Sequence, residues 1–542
     1  MRRFVSFTLS LLVFTASFSQ TNETLSRPKL VVGITIDQMR WDYLYRYYDR
    51  YSANGGFKRM LSQGFSCENT MIPYAPTVTA PGHTSIYTGS VPAIHGIAGN
   101  TWWDDVQQRE VYCTEDKTVK TVGSNTVLGL QSPRNLLVTT ICDELRLATN
   151  FQSKVIGVAI KDRGGILPAG YSANAAYWYD SQVGDWITST YYMNDLPQWV
   201  KDFNAKKLVD KYYELGWHTL YPLDSYKQST ADNKPYESKG LGEGFPYDLK
   251  KFIGKSYSAI LSTPHGNTMT VEIAKAAIEG EKLGADAITD FLALSFSSTD
   301  YIGHGYGPNS IEQEDDFLRL DKELGDLLDY LDSKVGKGQY TTFLSADHGV
   351  AHVIGFMQEN KIPAGGFVEA TVKTQLNQQL KEKFGYNDLV LNMANYQVVL
   401  NHKLIESERK LKRDEIVAEV ISFFSKQEAV VKAFDLQQLE TTPMPAKVKS
   451  MLENGYFPQR GGDVQFILKP NYMETYGPTG TTHGLWNPYD AHIPLLWYGW
   501  GIKPGKTNRE TYMIDIAPTV AALLHIQMPS GAIGTVITEV IK

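Results

Sequence analysis

The sequence KLVVGITID, residues 29–37, joins an unbroken apolar and β-branched run to a single acid, Asp37. Runs of this kind are typical of parallel strands that are covered on both faces, because a half-exposed strand alternates apolar and polar residues. In open α/β sheets, functional groups gather beyond the carboxyl ends of such strands. The run therefore predicts an α/β fold, with Asp37 either in a functional site or at the N-cap of a helix predicted at 41–48.

Three further predicted strands, at 154–160, 291–296 and 340–345, are also followed by charged side chains or histidines. The residues concerned are Lys161, Arg163, Asp300, His304, Asp347 and His348. Asp300 and His304 stand four residues apart. One helical turn would therefore bring both to one side, as two ligands of a metal ion require.

Two features suggest a place for an anion. Lys161 and Arg163 would form a clamp, although pairing with Asp162 or plain solvation also explains them. Thr79 lies in the stretch APTVTAPGHTSIYTGSVPAIHGIAG, residues 75–99, just before a Pro-Gly pair that suits a first helical turn. Its hydroxyl would either cap that helix or lie beside free N–H groups that favour phosphate.

Asn100 and His483 complete the candidate residues. Asn100 closes an irregular loop and would either donate to an oxyanion or support a turn. His483 lies in the glycine-flanked loop GTTHG, residues 480–484. A mixed carboxylate and imidazole set without thiols suits Zn²⁺ in catalytic use. Six such ligands are enough for two ions, roughly 4 Å apart, that share one bridging substrate.

Composition and the N-terminus limit the possible partners and location. The formal net charge is -7, so there is no basic surplus to neutralise a nucleic-acid backbone. Arg2 and Arg3 precede an apolar run, and the layout of residues 1–19 is that of a secretory signal peptide. No later stretch reaches the roughly 20 apolar residues that a membrane helix needs. We expect a periplasmic or secreted protein with no membrane span and no nucleic-acid partner.

The chain contains three cysteines, Cys67, Cys113 and Cys142, and their spacing includes no CxxC motif. A thiolate metal site is therefore disfavoured, and at most one disulfide can form within the chain. We predict a Cys67–Cys113 pair, with three buried thiols as the open alternative.

Residues 20–542 are predicted to form one catalytic domain that carries two insertions. The first, at about 171–267, is rich in aromatic residues, glycine and proline, and the second, at about 365–460, mixes helices and irregular sequence. The aromatic side chains of the first insertion would bind sugar rings or, as we favour, pack beneath long loops.

The order of these motifs resembles the alkaline phosphatase superfamily. The motifs are D(37), TAPGH(79–83), HGIAGN(95–100), DYIGH(300–304), DHG(347–349) and THG(482–484). With KDR(161–163) added, the set is similar to the bacterial PafA-type alkaline phosphatases. The resemblance implies an α/β three-layer sandwich with a mostly parallel central sheet and cap insertions. It also implies two zinc ions per chain, one held by Asp300, His304 and His483 and the other by Asp37, Asp347 and His348.

The same resemblance implies a role for each remaining residue. Thr79 would be both a ligand of the second zinc and the nucleophile, because metal coordination can lower the pKa of a hydroxyl. Asn100, Lys161 and Arg163 would bind the non-bridging oxygens of the phosphoryl group. The expected function is hydrolysis of small phosphate monoesters through a phosphothreonine intermediate, releasing inorganic phosphate, by a monomeric enzyme.

Alternatives of other kinds stay open at this point. A phosphodiesterase or nucleotide pyrophosphatase of the same superfamily would share the threonine and the asparagine but lack the Lys161/Arg163 pair. A secreted glycan-binding protein would explain the aromatic residues at 171–267 but not six metal-ligand side chains at strand ends. Another divalent ion could also take the place of zinc.

Overall fold

Five parallel strands form the centre of a ten-stranded sheet in the computed structural model, which describes residues 25–475 and 479–542. They are β1 (Leu30–Ile36), β2 (Val155–Ala159), β3 (Ala175–Asp180), β4 (Asp290–Phe296) and β5 (Tyr340–Ser345). Their order across the sheet is β5-β1-β4-β2-β3, and every neighbouring pair is parallel. All five strands are buried along their full length. The predicted mostly parallel α/β fold is confirmed, whereas the predicted signal peptide lies outside the described residues.

Further strands extend this centre on both sides, all in antiparallel pairs except for Gly505–Thr507, which pairs parallel with Phe65–Cys67. β5 pairs with Leu495–Gly499, which pairs with Phe65–Cys67, and Gly505–Thr507 follows at that edge. On the other side β3 pairs with Asp185–Ser189, which pairs with Thr121–Val122. Shorter strands outside the main sheet are Thr70–Met71, Thr101–Asp104, Arg109–Tyr112, Gly365–Phe367, Tyr472–Glu474, His492–Ile493 and Thr511–Tyr512.

Three helices carry residues of the candidate site: α1 (Thr79–Thr88), α2 (Asp162–Ala169) and α3 (Ser298–Tyr306). The helix predicted at 41–48 is only one turn, Tyr43–Arg46. The other described α-helices of eight residues or more are Gly56–Gln63, Ile141–Ala148, Gln198–Ala205, Leu208–Leu215, His265–Glu281, Ile311–Leu331, Glu369–Phe384, Arg413–Phe424, Ala446–Gly455 and Ile516–Leu524.

The region predicted as the second insertion contributes most of a separate hydrophobic core. A four-stranded antiparallel sheet lies at its centre, with helices Glu369–Phe384 and Arg413–Phe424 packed against it. The strands, in spatial order, are Val390–Ala394, Gln397–Leu400, Val464–Leu468 and Val430–Asp435. Because Val464–Leu468 lies past residue 460, this unit extends beyond the predicted limit, and the division into one domain with two insertions stays a prediction.

The region predicted as the first insertion, at about 171–267, begins with strands of the main sheet. β3 and Asp185–Ser189 both belong to the main sheet. The buried aromatic residues Tyr177, Trp178 and Trp186 lie on these strands and pack in the protein interior. Aromatic residues are frequent on these strands because both faces of the sheet are buried there. The composition, rich in aromatic residues and glycine, made the strands hard to identify in the sequence.

The three cysteines are free and buried. The predicted Cys67–Cys113 disulfide is therefore wrong, and the alternative of three buried thiols is confirmed. Cys67 belongs to the main core, whereas Cys113 packs in a separate cluster with Trp102 and Leu136.

Within the two described ranges, no helix combines the length and the apolar character that crossing a membrane requires.

Gly157 allows α2 to approach β2 closely. A Cβ added at Gly157 of β2 would lie 2.2 Å from the carbonyl oxygen of Gly165 in α2, whereas a Cβ at Gly165 would meet nothing nearer than 3.5 Å. We predict that Gly157→Ala lowers the free energy of unfolding by about 1–3 kcal/mol, because backbone must move to admit the methyl group.

Gly165→Ala is the matched control, since alanine favours a helix and the space is present; we expect stability equal to wild type or up to about 1 kcal/mol higher. Denaturant unfolding followed by circular dichroism measures both. Equal stability of Gly157→Ala and wild type would contradict the close contact.

Candidate active site

The loops and helices that follow β1, β2, β4 and β5 bring the predicted acids, histidines and cations to one edge of the sheet. The turn after β1 carries Asp37, and the loop after β5 carries Asp347 and His348. α3 begins two residues after β4 and presents Asp300 and His304 one turn apart, as the spacing predicted. His483 comes from a loop that precedes Leu495–Gly499.

Asp300, His304 and His483 form a first cluster, whose ligand atoms all lie within 4.8 Å of one another. Asp300 Oδ1 is 3.2 Å from His304 Nε2 and 3.6 Å from His483 Nε2. The Nδ1 atoms of the two histidines lie 2.8 Å from the backbone oxygens of Thr481 and Thr77 respectively. Because a carbonyl only accepts, Nδ1 carries a proton in each ring, and Nε2 is the nitrogen that would bind a cation.

The second predicted set consists of Asp37, Asp347 and His348. In the structure, both carboxylates lie close to His348 Nε2. His348 Nε2 lies 3.4 Å from Asp37 Oδ1 and 3.4 Å from Asp347 Oδ2, and its Nδ1 donates to the oxygen of Gly349 at 2.9 Å. Asp37 and His348 also group with Asp300 within 4.8 Å. Asp300 therefore lies between the two sets.

The residues present fit metal cations. Asp37 Oδ1 and Asp347 Oδ2 are buried and have no hydrogen-bond partner among the described residues. Burial raises the pKa of Asp37, and the negative charges of Asp300 and Asp347 raise it further, whereas the charge of Lys161 lowers it. Burial lowers the pKa of His348, which favours the neutral imidazole that binds metal. Buried carboxylates with unused oxygens beside neutral imidazoles are the donors that Zn²⁺ prefers.

Lys161 lies within the acidic cluster rather than against Asp162. Its Nζ donates to Asp37 Oδ2 at 2.7 Å and to Asp300 Oδ2 at 2.5 Å. Burial lowers the pKa of Lys161, but Asp300 and Asp37 outweigh this effect and raise it overall. The ammonium therefore stays charged and offsets part of the negative charge of the two carboxylates.

Arg163 is held by a hydrogen-bonded pair that the sequence did not indicate. Its Nη1 donates to the hydroxyl of Tyr112 at 2.9 Å, and that hydroxyl donates to Asp162 Oδ1 at 2.6 Å. Arg163 Nε is buried and has no partner among the described residues. Tyr112 lies on the hairpin that begins just after Asn100, about fifty residues earlier in the chain, so local sequence gave no signal for this contact.

Of the two alternatives for Thr79, the structure excludes the helix cap. Val78 is the N-cap of α1, and Thr79 is its first helical residue, with no side-chain cap present. Instead, Asn100 Oδ1 accepts the N–H of Ala80 at 2.9 Å. Thr79 Oγ1 is consequently free to face the cluster, 3.4 Å from His348 Nε2.

Other histidines have different partners, as expected of structural residues. His83 donates to the oxygen of Thr79 at 3.0 Å and lies 3.2 Å from Asp347 Oδ2, so it contacts two residues of the candidate site. His95 bonds to Ser85, His352 to Arg40 and Asn309, and His492 to the oxygen of Glu68. A cavity of about 440 Å³ opens beside His304, between that residue and Thr479 to Thr482.

The fold and this arrangement define a metal-dependent enzyme of the alkaline phosphatase superfamily. Residues 31–490 match the type I phosphodiesterase / nucleotide pyrophosphatase family. The chain belongs to that family, and its relatives place it among the alkaline phosphatases of the PafA and PhoV type. The predicted resemblance and the prediction of an alkaline phosphatase are thereby confirmed.

The relatives cover nearly the whole chain. Alkaline phosphatase PhoV of Synechococcus elongatus is 55% identical over 523 residues, 96% of this chain and 94% of that protein. Alkaline phosphatase PafA of Elizabethkingia meningoseptica is 51% identical over 530 residues, 96% of each chain. A crystal structure of wild-type PafA matches with a TM-score of 0.94 at 50% identity, covering 96% of this chain and 100% of that one. A protein of Myroides odoratus, 55% identical over 528 residues and 96% of each chain, carries the name calcium-transporting ATPase.

His483 and His352 provide a matched pair for testing the metal ligands. We predict that His483→Ala lowers the zinc content of the purified protein, because it removes one of three ligands from the first cluster. His352→Ala should retain the wild-type zinc content, since His352 contacts Arg40 and Asn309 instead. Elemental analysis of zinc per chain distinguishes them. Full zinc in the first variant together with loss in the second would overturn the assignment.

Proposed function

We propose that the protein is a periplasmic or secreted phosphate-monoester hydrolase that acts through a phosphothreonine intermediate and uses two zinc ions. The observation that carries the proposal is the position of the Thr79 hydroxyl. It lies in the first turn of α1, 3.4 Å from His348 Nε2, and His348 itself groups with Asp37 and Asp300. The alkaline phosphatase names of the relatives support the same reaction class.

Asp300, His304 and His483 would hold one zinc ion, and Asp37, Asp347 and His348 would hold the other, with Thr79 Oγ1 as a further ligand. Ions bound there would lower the pKa of the Thr79 hydroxyl, balance the charge on the leaving oxygen and activate the water of the second step. The chain itself supplies the geometry, since backbone carbonyls fix the rings of His304, His348 and His483.

Thr79 is the nucleophile in this proposal. Its Oγ attacks phosphorus, the ester oxygen leaves on the opposite side, and water then cleaves the phosphothreonine to release inorganic phosphate. α1 orients the reacting oxygen because Thr79 is part of its first turn, and the positive end of the helix dipole there favours the phosphoryl oxygens. Asn100 accepts the N–H of Ala80 through Oδ1, which leaves its Nδ2 hydrogens to donate to substrate.

Lys161 and Arg163 favour a monoester over a diester. A monoester presents three non-bridging oxygens and nearly two negative charges, whereas a diester replaces one of these oxygens with an organic group. The Nε of Arg163 is buried, has no acceptor among residues 25–475 and 479–542, and needs one. Lys161 has used two of its three N–H donors on Asp37 and Asp300, so one remains for substrate.

Export and oligomeric state are part of the proposal. The arginine-led apolar sequence of residues 1–19 is the basis for a cleaved signal peptide. All the residues assigned to the site belong to this one chain, so a monomer would be complete. Small phosphate monoesters are the proposed substrates, and neither nucleic acid nor membrane is a proposed partner.

Replacement of Thr79 tests the reaction pathway. We predict that Thr79→Ala lowers kcat for a monoester by at least about 1,000-fold, because a nucleophile cannot be replaced by a methyl group. Zinc content should stay near that of wild type, since three other side chains remain in each set. Thr79→Ser keeps a hydroxyl and should retain much more activity than Thr79→Ala.

Steady-state kinetics, zinc analysis and acid-quench trapping with a labelled monoester provide the measurements. Wild type should carry label at Thr79. Near wild-type turnover by Thr79→Ala, or label on another residue, would remove Thr79 from the proposed role.

A further inference from the structure

Gln38, which directly follows Asp37, has a left-handed backbone conformation with φ of 68°. It is also fully buried. For a residue with a Cβ this conformation is unfavourable, and glycine adopts it with much less strain. Strained backbone of this kind is kept where the surrounding structure enforces it, and it clusters at functional sites. The side chain at position 38 is therefore expected to have a task that glycine could not perform.

Gln38 contacts both metal-ligand sets. Its backbone N–H donates to Asp347 Oδ1 at 3.1 Å, and its side-chain Nε2 donates to Asp300 Oδ1 at 2.6 Å. The turn that presents these donors is fixed at Asp37: the N–H of Asp37 donates to the oxygen of Phe296, and Thr299 Oγ1 donates to the oxygen of Asp37. One residue thus links a carboxylate of the first set to a carboxylate of the second.

We propose that Gln38 is a positioning residue that fixes the separation of the two metal-ligand sets through its two N–H donors. The inference rests on the proposed two-zinc function, because a fixed separation has value only when two ions share one substrate. Glycine at position 38 would keep the backbone donor to Asp347 and relieve the strain. Only the side-chain amide reaches Asp300, so that contact accounts for glutamine at this position.

Gly303 provides independent support. It lies on α3 between Asp300 and His304, and a Cβ there would stand 1.9 Å from Gln38 Oε1. The nearest atom outside Gln38 is Gln313 Oε1, 3.5 Å away, which is ordinary contact. The missing Cβ at Gly303 thus makes room for the amide of Gln38 and for little else. A neutral amide also suits this place, because a carboxylate would add charge to a cluster that already holds Asp37, Asp300 and Asp347.

The test compares four variants of the full chain: Gln38→Gly, Gly303→Ala, the double variant, and Lys282→Gly as control. Lys282 is exposed and has a φ of 56° at the C-terminus of helix His265–Glu281, so its replacement relieves similar strain far from the site. Zinc affinity is measured by competition with a chromogenic chelator. Steady-state kinetics at saturating zinc separate kcat from KM, and thermal unfolding in excess chelator reports the fold.

We expect Gln38→Gly to lose about 10- to 100-fold in zinc affinity, in kcat or in both, as for other groups that orient metal ligands. KM should change less than kcat. The chelator-treated protein should unfold within about 2 °C of wild type, because strain relief and the extra freedom of the unfolded chain oppose each other. Lys282→Gly should match wild type in zinc affinity and kinetics.

Gly303→Ala should also lower zinc affinity, kcat or both when Gln38 is present. In the Gln38→Gly background it should cause no further loss of either, because the clashing amide is then gone. Zinc affinity and kcat of Gln38→Gly within twofold of wild type would overturn the inference. Loss of cooperative unfolding by Gln38→Gly would overturn it too, since the role would then be structural. Failure of the proposed function would show instead in wild type, as fewer than two zinc ions per chain or as zinc-loaded protein without monoester hydrolysis.

Discussion

Three buried carboxylates, Asp37, Asp300 and Asp347, lie together at one edge of the central sheet, and the rest of the site depends on balancing their charge. An unpaired buried carboxylate is costly, and three close together are costlier still. Lys161 offsets part of this charge by pairing with two of them. The remaining oxygens face the imidazoles of His304, His348 and His483. The cluster is therefore suited to metal cations and, through them, to an anionic substrate.

Close backbone packing makes this concentration of charge possible. β1, β4 and β5 are adjacent and parallel, so their carboxyl ends deliver Asp37, Asp300 and Asp347 to one place. Glycine then lets the helices approach: a Cβ at Gly82 in α1 would lie 2.4 Å from the oxygen of Asp347. Thr79, one turn earlier in α1, is brought to the cluster by the same contact. The position of the proposed nucleophile thus follows from packing rather than from a flexible loop.

The sequence was informative where local pattern determines local structure. Continuous apolar runs located the parallel strands, and the four-residue spacing of Asp300 and His304 placed both on one side of α3. Long-range contacts carried no comparable signal. Neither the pairing of Lys161 with Asp37 and Asp300 nor the contact of Tyr112 with Arg163 depends on neighbouring sequence. The two alternatives for Thr79 could not be separated by sequence, because Thr before Pro-Gly fits a helix cap until Asn100 is seen bonding Ala80.

The central claim is that the buried cations Lys161 and Arg163 make the site favour a phosphate monoester, because of its charge, over a diester. The most direct measurement is kcat/KM for a monoester and a diester that share one leaving group, on zinc-loaded wild type and on the Lys161→Ala/Arg163→Ala variant. The account predicts a monoester preference of roughly 100-fold or more in wild type, and a much smaller preference in the variant. A wild-type preference for the diester, or equal losses on both substrates in the variant, would contradict it.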